Sequence, residues 1–469
     1  MVAQKNQSGV ASAIPILKRV GLRDLFLRRG TRLDLFMNVY RKAGDVGAFQ
    51  AGARLFVLVN SAPLAYQALV ENADAFEKSP ALRVFSRPLL GDGLLTCSNE
   101  SHRQRRPRVA PAFQPRRVAC YAGTMAAHAE RIQQSWWPGT TVDITREMSR
   151  VAFGIDGKTL FDAEVTDEAQ SLGRELIVTM RHAFKQMDSP VPIPFHWPTP
   201  TNIRTRRAIA RLNAVVYRMI DERRASGVDQ GDFLSMLMEA PGNDEGRAAS
   251  DTWIRDEAMT IFLAGHETTA NALTWAWYLL TQHPEEYARL REEARNVLQG
   301  RTPTLDDLPR LPFALQVFKE ALRLYPPAYA IGRQAIQDTR LGDYDVPAGS
   351  VLIICPYVMH RRADYFPEPE AFRPDRFAGE AEKRMPRCSY LPFSVGPRNC
   401  IGAHFALMEG QIVLAALAQR LEFELIPGQS IRPEPLFTLR SAGPIRMRVR
   451  RDSRATSNDA DLRPALNGR

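Results

Sequence analysis

The stretch Phe393-Ser394-Val395-Gly396-Pro397-Arg398-Asn399-Cys400-Ile401-Gly402 decides the fold. An aromatic residue, a glycine turn, an arginine and a cysteine lead straight into a helical pattern that runs from about Ile401 to Leu421. A cysteine at a helix N-terminus lies near the positive end of the dipole and near unpaired backbone N–H groups, which favours its thiolate. Arg398 adds positive charge two residues away. Gly396 permits a turn closed to other residues, and Gly402 lets a flat ligand approach the helix backbone. These are the requirements of a thiolate axial ligand to haem iron. Five fixed positions at roughly one in twenty each give chance odds on the order of one in ten thousand for this chain. The remaining cysteines, Cys97, Cys120, Cys355 and Cys388, show no such setting and read as inert buried thiols.

The composition agrees with a large folded protein. The chain has 469 residues, 45% of them hydrophobic and 24% charged. Length alone would suggest about three ordinary domains. Five cysteines without regular spacing argue against a secreted disulfide scaffold. No run of about 18 uncharged apolar residues is present, so a membrane-spanning helix is not expected. The first twenty residues lack a signal-peptide pattern, which makes a cytoplasmic protein the expectation. The net charge of +10 is local, with Arg103, Arg105, Arg106, Arg108, Arg116 and Arg117 in one cluster and a second beyond residue 431. No nucleic-acid motif accompanies these clusters, so an acidic protein partner is the better match and nucleic acid is not expected.

Along the chain, residues 46–59 alternate around Gly52 as a β-hairpin, and from Ser61 the pattern turns helical with Pro63 in the first turn. The proline-rich residues 188–202 read as a loop between long helices, and residues 240–250 as a second break. A helix of about thirty residues is expected from Asp251 to His283, with Ser250 and Asp251 as N-cap candidates and Pro284 as its end. Short strands return between Asp343 and Pro356, and others close the folded part near Arg450. Helices dominate, strands are scattered, and no linker separates two halves. The expected organisation is an N-terminal segment over 1–29, partly flexible, one domain over 30–450, and a disordered tail over 451–469.

Within the long helix, Ala264-Gly265-His266-Glu267-Thr268-Thr269 is the second chemical motif. A zinc-protease reading would need a histidine at 270, where Ala270 stands, so it fails. Thr268 and Ala264 share a helix face, and a mid-helix threonine can bond back to the carbonyl four residues earlier and loosen the helix.

The signature around Cys400 resembles F-x-x-G-x-R-x-C-x-G of the cytochrome P450 family, in its soluble bacterial form without a fused reductase. The resemblance runs from about residue 30 to 450. Glu320-Ala321-Leu322-Arg323 matches the family's E-x-x-R, and Phe372-Arg373-Pro374-Asp375-Arg376-Phe377 supplies Arg376 as the third member of a structural triad. The resemblance implies a mainly α fold with small β-sheets and a long central helix over haem. It implies haem b with Cys400 as the iron ligand, and Phe393, Gly402 and Ala264 beside the cofactor. Thr268 would donate to the distal oxygen of O2, with Glu267 helping to deliver protons. The haem propionates would be met by His102, Arg106, Arg333 and Arg398; Pro107 departs from the family pattern inside the propionate-binding helix. Phe85, Phe262, Ala328, Tyr329, Phe437 and Thr438 would line a mostly apolar substrate pocket. Arg83 and Arg87 could anchor a carboxylate, but a surface role is the expected one for both.

The implied activity is a haem-thiolate monooxygenase that inserts one oxygen atom from O2 into a terpene, fatty acid, or polyketide or peptide intermediate of secondary metabolism. Electrons derived from NAD(P)H would arrive through a ferredoxin with its reductase or a flavodoxin-type donor. Two rivals are a peroxide-driven peroxygenase, disfavoured by the Glu267-Thr268 acid–alcohol pair, and a non-enzymatic haem sensor, which would carry a signalling domain.

Overall fold

Residues 247–282 contain no proline and a single glycine, and they form one helix, Arg247–Gln282, of 36 residues. At 1.5 Å per residue it is roughly 54 Å long, enough to cross a whole domain. It begins ahead of the expected start. Ser250 and Asp251 fall inside it rather than at its N-cap, because Ala248 and Ala249 are strong helix formers that extend it toward the N-terminus. Asp251 instead accepts a hydrogen bond from Arg224 Nη2 at 2.5 Å. The helix ends where Pro284 opens the next one, Pro284–Leu298.

This computed structural model describes residues 14–17, 31–162, 175, 179, 180, 182–187, 189, 192–239 and 247–451. The expected N-terminal segment falls mostly outside the described residues, and the expected tail almost wholly so. Residues 240–246 of the expected second break are also outside them, while 247–250 are helical rather than broken.

The fold is mainly α, with small separate sheets. The hairpin pairs β1 (Val46–Ala51) with β2 (Arg54–Val59) around Gly52, whose φ of +60° only glycine adopts freely. With β3 (Phe76–Lys78), β4 (Ile331–Ala335) and β5 (Val351–Ile354) they make a sheet in the order β1-β2-β5-β4-β3. Only β2 and β5 run parallel. This register sets Lys78 directly opposite Arg333. A second sheet joins Thr141–Asp143, Arg446–Arg451 and Leu421–Leu425.

The long helix is held by aromatic side chains on both flanks. Trp275 stacks on Tyr325 with centroids 4.0 Å apart, and Trp277 meets Phe423 edge-on at 4.9 Å. Such pairs add about 0.5–1.5 kcal/mol each beyond the burial of their area. The helix Ala403–Ala418, which follows Cys400, is buried from Ile412 to Ala418 and packs in the same core.

A buried ion cluster ties the fold to the cysteine loop. Glu320 and Arg323, on the helix Pro312–Leu324, are both fully buried. Arg323 donates from Nε to Glu320 Oε2 at 2.7 Å and from Nη2 to Glu320 Oε1 at 2.8 Å. Its other hydrogens go to the carbonyls of His360, Pro369 and Ala371. Arg376 Nε and the backbone N–H of Arg373 also donate to Glu320 Oε1. His360 continues the chain. Its Nε2 accepts the N–H of Leu391 at 2.8 Å, so its Nδ1 carries the hydrogen that is donated to Arg323 O at 3.1 Å. Burial holds the His360 imidazole down at about 3, hence neutral. Leu391 lies nine residues before Cys400, so this chain of bonds fixes the origin of the loop.

Breaking a buried ion pair costs about 3–5 kcal/mol because the remaining charge is left uncompensated. Arg323→Lys keeps the charge but cannot reproduce the five-donor fork. We expect a loss of about 3 kcal/mol in urea unfolding, together with weaker retention of haem. Wild-type stability and haem content in this variant would show that the fork carries no such load.

Candidate active site

The loop from Phe393 to Cys400 is closed by its own backbone. Cys400 N–H donates to Phe393 O at 2.8 Å, and Asn399 N–H to Gly396 O at 3.0 Å. Gly396 has φ +80°, and a Cβ there would lie 2.0 Å from the backbone oxygen of Leu69. Glycine is therefore required twice over, by conformation and by the close approach of Leu69. At Gly402 the nearest protein atom to an added Cβ is 3.9 Å away, on Phe113, so the helix start presents bare backbone. Phe393 is half-buried against the main core.

Cys400 has protein atoms close around it and nevertheless keeps accessible surface, which a ligand on its sulfur requires. Burial pushes its thiol up, while the N–H of Gly402, Arg106 and Lys78 pull it down. A metal ion removes that proton outright when it binds a thiol. Of the other cysteines, Cys97 and Cys355 are buried, but Cys120 is exposed and Cys388 partly so. Cys120 sits on the solvent side of the arginine-rich segment, which corrects the expectation of a buried thiol.

Cations converge beside this loop. His102 and Arg106 come from the helix Asn99–Val109, which continues two residues past Pro107. Arg333 is on β4, and Arg398 precedes Cys400. Lys78 on β3 joins them, a residue that no sequence motif marked. Burial, Arg333 and Arg398 hold its ammonium well below the usual lysine range. Arg333 is lowered to about 10 by burial and Arg398. His102 is lowered to about 3 by burial, Arg398, Arg106, Lys78 and Arg333, and is therefore neutral. Arg398 donates to Cys97 O and Asn99 Oδ1, both at 2.9 Å, and Arg106 to Asn399 O at 2.8 Å. Four cations gathered at partly buried positions call for an anionic group, and the two propionates of haem match them. With a thiol at a helix start and bare backbone at Gly402, the residues fit haem.

On the long helix, Thr268 Oγ1 donates to Ala264 O at 2.7 Å, and Gly265 O lies within 3.3 Å. Ala264 is accessible. His266 is buried with Nδ1 against Phe262 O, and burial lowers it to about 4. Among the described residues no group of three or more His, Cys, Asp or Glu side chains is placed to hold a metal ion.

Glu267 sits one position, about 100°, round the helix from Thr268. Its Oε1 accepts Thr438 Oγ1–H at 2.8 Å, and Asn271 Nδ2 donates to the same hydroxyl at 3.0 Å. Burial raises the Glu267 carboxyl, while Thr438 and Arg440 lower it. Thr438, expected to line the pocket, is 4% exposed and holds Glu267 instead. Tyr329 also differs from its expected place. Its ring is buried among Leu33, Phe36 and Val358, and its hydroxyl donates to Leu436 O at 2.9 Å. The neighbouring Ala328 is accessible, because adjacent residues of an extended segment face opposite ways. Phe437 and Phe262 pack against one apolar cluster with Leu89, Leu90 and Leu263, and Phe85 is half-buried on the helix Pro80–Leu90.

A protein with this fold, a cysteine at the head of a buried helix and a cationic cradle beside it, is a haem-thiolate protein. The chain belongs to the cytochrome P450 family, whose model matches residues 19–447. It is 39% identical to cyclooctatin synthase of Streptomyces melanosporofaciens over 86% of this chain and 88% of that protein. It is 36% identical to cyclooctat-9-en-7-ol 5-monooxygenase of the same organism, over 83% and 84%. With pentalenene oxygenase of Streptomyces avermitilis the identity is 32%, over 88% and 92%. The chain is a P450 monooxygenase, dependent on O2, on redox partners and on a hydrophobic substrate. No helix among the described residues is long and apolar enough to cross a membrane.

Two carboxyls unmarked in the sequence complete the surroundings. Asp156 and Glu409 are each 1% exposed, and Asp156 Oδ2 would lie 2.5 Å from a Cβ on Gly265. Burial raises both carboxyls, and Asp156 raises Glu409 further. A carboxyl raised in the folded state contributes fully below its unfolded range near pH 4 and loses that contribution as pH climbs toward the folded value. Glu409→Gln should therefore gain stability relative to wild type at pH 8 and little at pH 5. The expected gain at pH 8 is about 1 kcal/mol or more, read from urea midpoints at the two pH values. An equal difference at both would show that Glu409 keeps ordinary acidity.

Proposed function

We propose that the chain oxidises an unsaturated carbocyclic terpene skeleton by hydroxylation or epoxidation. Its electrons come from NAD(P)H through a ferredoxin with its reductase or a flavodoxin-type donor, in the cytoplasm. The observation that carries this reading is the apolar cluster of Leu89, Leu90, Leu263, Phe262 and Phe437 beside Ala264. The substrate names of similar proteins, cyclooctat-9-en-7-ol and pentalenene, support it. Haem b, when bound, supplies the activation of O2 and the insertion of one oxygen atom.

The chain's own residues do the rest. Cys400 Sγ would hold the haem iron as a thiolate, and the Gly402 N–H with Arg106 and Lys78 would offset the charge on that sulfur. Lys78, His102, Arg106, Arg333 and Arg398 hold the propionates. Phe393 anchors the start of the ligand loop against the main core. The apolar cluster excludes water and orients the carbon skeleton. Thr268 Oγ1, which donates to Ala264 O, would offer a hydroxyl donor beside the cofactor, and Glu267, its carboxyl raised by burial, would be the neighbouring proton carrier. Glu320, Arg323 and Arg376 keep the ligand loop in register.

The clustered arginines supply the electron-donor surface only in part. Arg103 already pairs with Asp74 at 3.0 Å, Arg105 with Asp92 at 3.3 Å, and Arg117 bonds to Tyr121. Arg116 is exposed with none of these engagements and is the best placed to steer an acidic carrier.

The direct test is turnover of terpene hydrocarbons and alcohols with a surrogate ferredoxin, its reductase, NADPH and isotopically labelled O2. Product carrying one labelled atom is expected. Label-free product formed with hydrogen peroxide alone would favour the peroxygenase reading. Cys400→His should lose the thiolate-type carbon monoxide spectrum, because imidazole gives iron less electron density. Retention of that spectrum would remove Cys400 as the ligand. Thr268→Ala should still bind substrate but consume reductant faster than it forms product, with the excess appearing as hydrogen peroxide. A coupling loss of about tenfold or more is expected, in the range for loss of one proton donor. Coupling equal to wild type would leave Thr268 with a structural role only.

A further inference from the structure

Away from the cysteine loop, an open groove of about 470 Å³ lies between the helices Pro80–Leu90 and Pro200–Ser226. It is lined by Val84, Arg87 and Pro88 on one side and by Phe195, Arg206 and Ile209 on the other. Its volume is that of a small-molecule site. Its floor is continuous with the substrate region. Ile209 belongs to the cluster that contains Leu89, Leu90, Met259 and Leu263, and Phe195, Phe262 and Phe437 pack against that cluster. A continuous layer of packed apolar side chains therefore joins the groove to the long helix at Leu263, the neighbour of Ala264.

Two arginines, contributed by different helices, stand among the apolar residues of this groove. Arg206 is steadied by one hydrogen bond, from Nη1 to His196 O at 3.3 Å. Neither Arg87 nor Arg206 forms an ion pair among the described residues, whereas the nearby Arg83 is taken up by Glu77. A guanidinium at an apolar surface without a carboxylate of its own chain is matched by a planar carboxylate, which accepts two parallel N–H bonds. A diphosphate would bring more negative charge than two arginines neutralise, and no lysine lines the groove.

The geometry points to a substrate with a carboxylate at one end: an apolar carbocyclic body reaches toward Ala264 while Arg87 and Arg206 hold its anionic end in the groove. This rests on the monooxygenase reading above and narrows its substrate class. The carboxylate sets how far the skeleton enters, so these two arginines are specificity-determining.

The experiment is a haem spin-state titration of the holoenzyme with two acids and their methyl esters, abietic acid and dodecanoic acid serving as probes. Each variant is judged by its own acid-to-ester affinity ratio, so that general damage to folding cancels. Exposed charge pairs of this kind are worth up to about 1 kcal/mol each, and two of them give roughly a tenfold preference for at least one acid. In Arg87→Ala with Arg206→Ala the ratio should fall to near one. In Arg207→Ala, an exposed arginine of the same helix outside the groove, it should persist. Equal binding of acid and ester by the wild type, or a preference that survives the double substitution, would overturn the inference and leave the monooxygenase reading standing. Absence of any spectral response to acids and esters alike, with no turnover of neutral terpenes, would overturn both.

Discussion

The buried guanidinium of Arg323 is the constraint on which the rest of the structure depends. An arginine with no solvent contact is tolerated only if its charge is neutralised and its donors are all used. Glu320 does the first with two bonds, and three backbone carbonyls complete the second. Those carbonyls belong to His360, Pro369 and Ala371, in a segment without regular secondary structure over most of its length. One side chain thus organises a stretch that has no ladder of its own to satisfy. Through His360 and Leu391 the same cluster reaches the cysteine loop, so the position of Cys400 Sγ is set by a salt bridge on another helix.

The cationic cradle is an opposite kind of arrangement. Arg323 is satisfied by the chain itself, while Lys78, Arg333 and Arg398 each depress their neighbours' proton affinity. Such a cluster is destabilising in isolation and becomes favourable when an anionic group joins it. Cofactor binding and folding are then linked, since a group that binds only the native state stabilises it by mass action. The neutral state of His102 fits the same logic. Surrounded by four cations, an imidazole sheds its proton and contributes a hydrogen-bonding nitrogen instead of a fifth charge.

What the sequence revealed follows from how local each signal is. The hairpin around Gly52, the stop at Pro284 and the loop from Phe393 to Cys400 rest on neighbours in the chain, and each could be read there. The start of the long helix could not be placed as well, because Ser250 and Asp251 look like caps until Ala248 and Ala249 continue the helix past them. Lys78 escaped notice because only the β3–β4 register brings it opposite Arg333. Asp156 and Glu409 escaped because nothing in the primary sequence distinguishes a buried acid from a surface one. The family resemblance locates the segments that carry Tyr329 and Thr438 but not the facing of each side chain, and both turn to the opposite side of those extended segments.

The region around Gly265 is where local rules are broken together. Thr268 withdraws a hydroxyl into the helix ladder, Glu267 keeps a carboxyl out of water, and Asp156 presses an unpaired oxygen against the helix at its only glycine. Each is unfavourable by itself, and their concentration within one turn of a 36-residue helix is not explained by packing. The aromatic anchors at Trp275 and Trp277 lie two to three turns further along and hold the helix in place. That separation lets these buried polar groups persist at the active site, because their cost is offset by packing at positions that take no part in the chemistry.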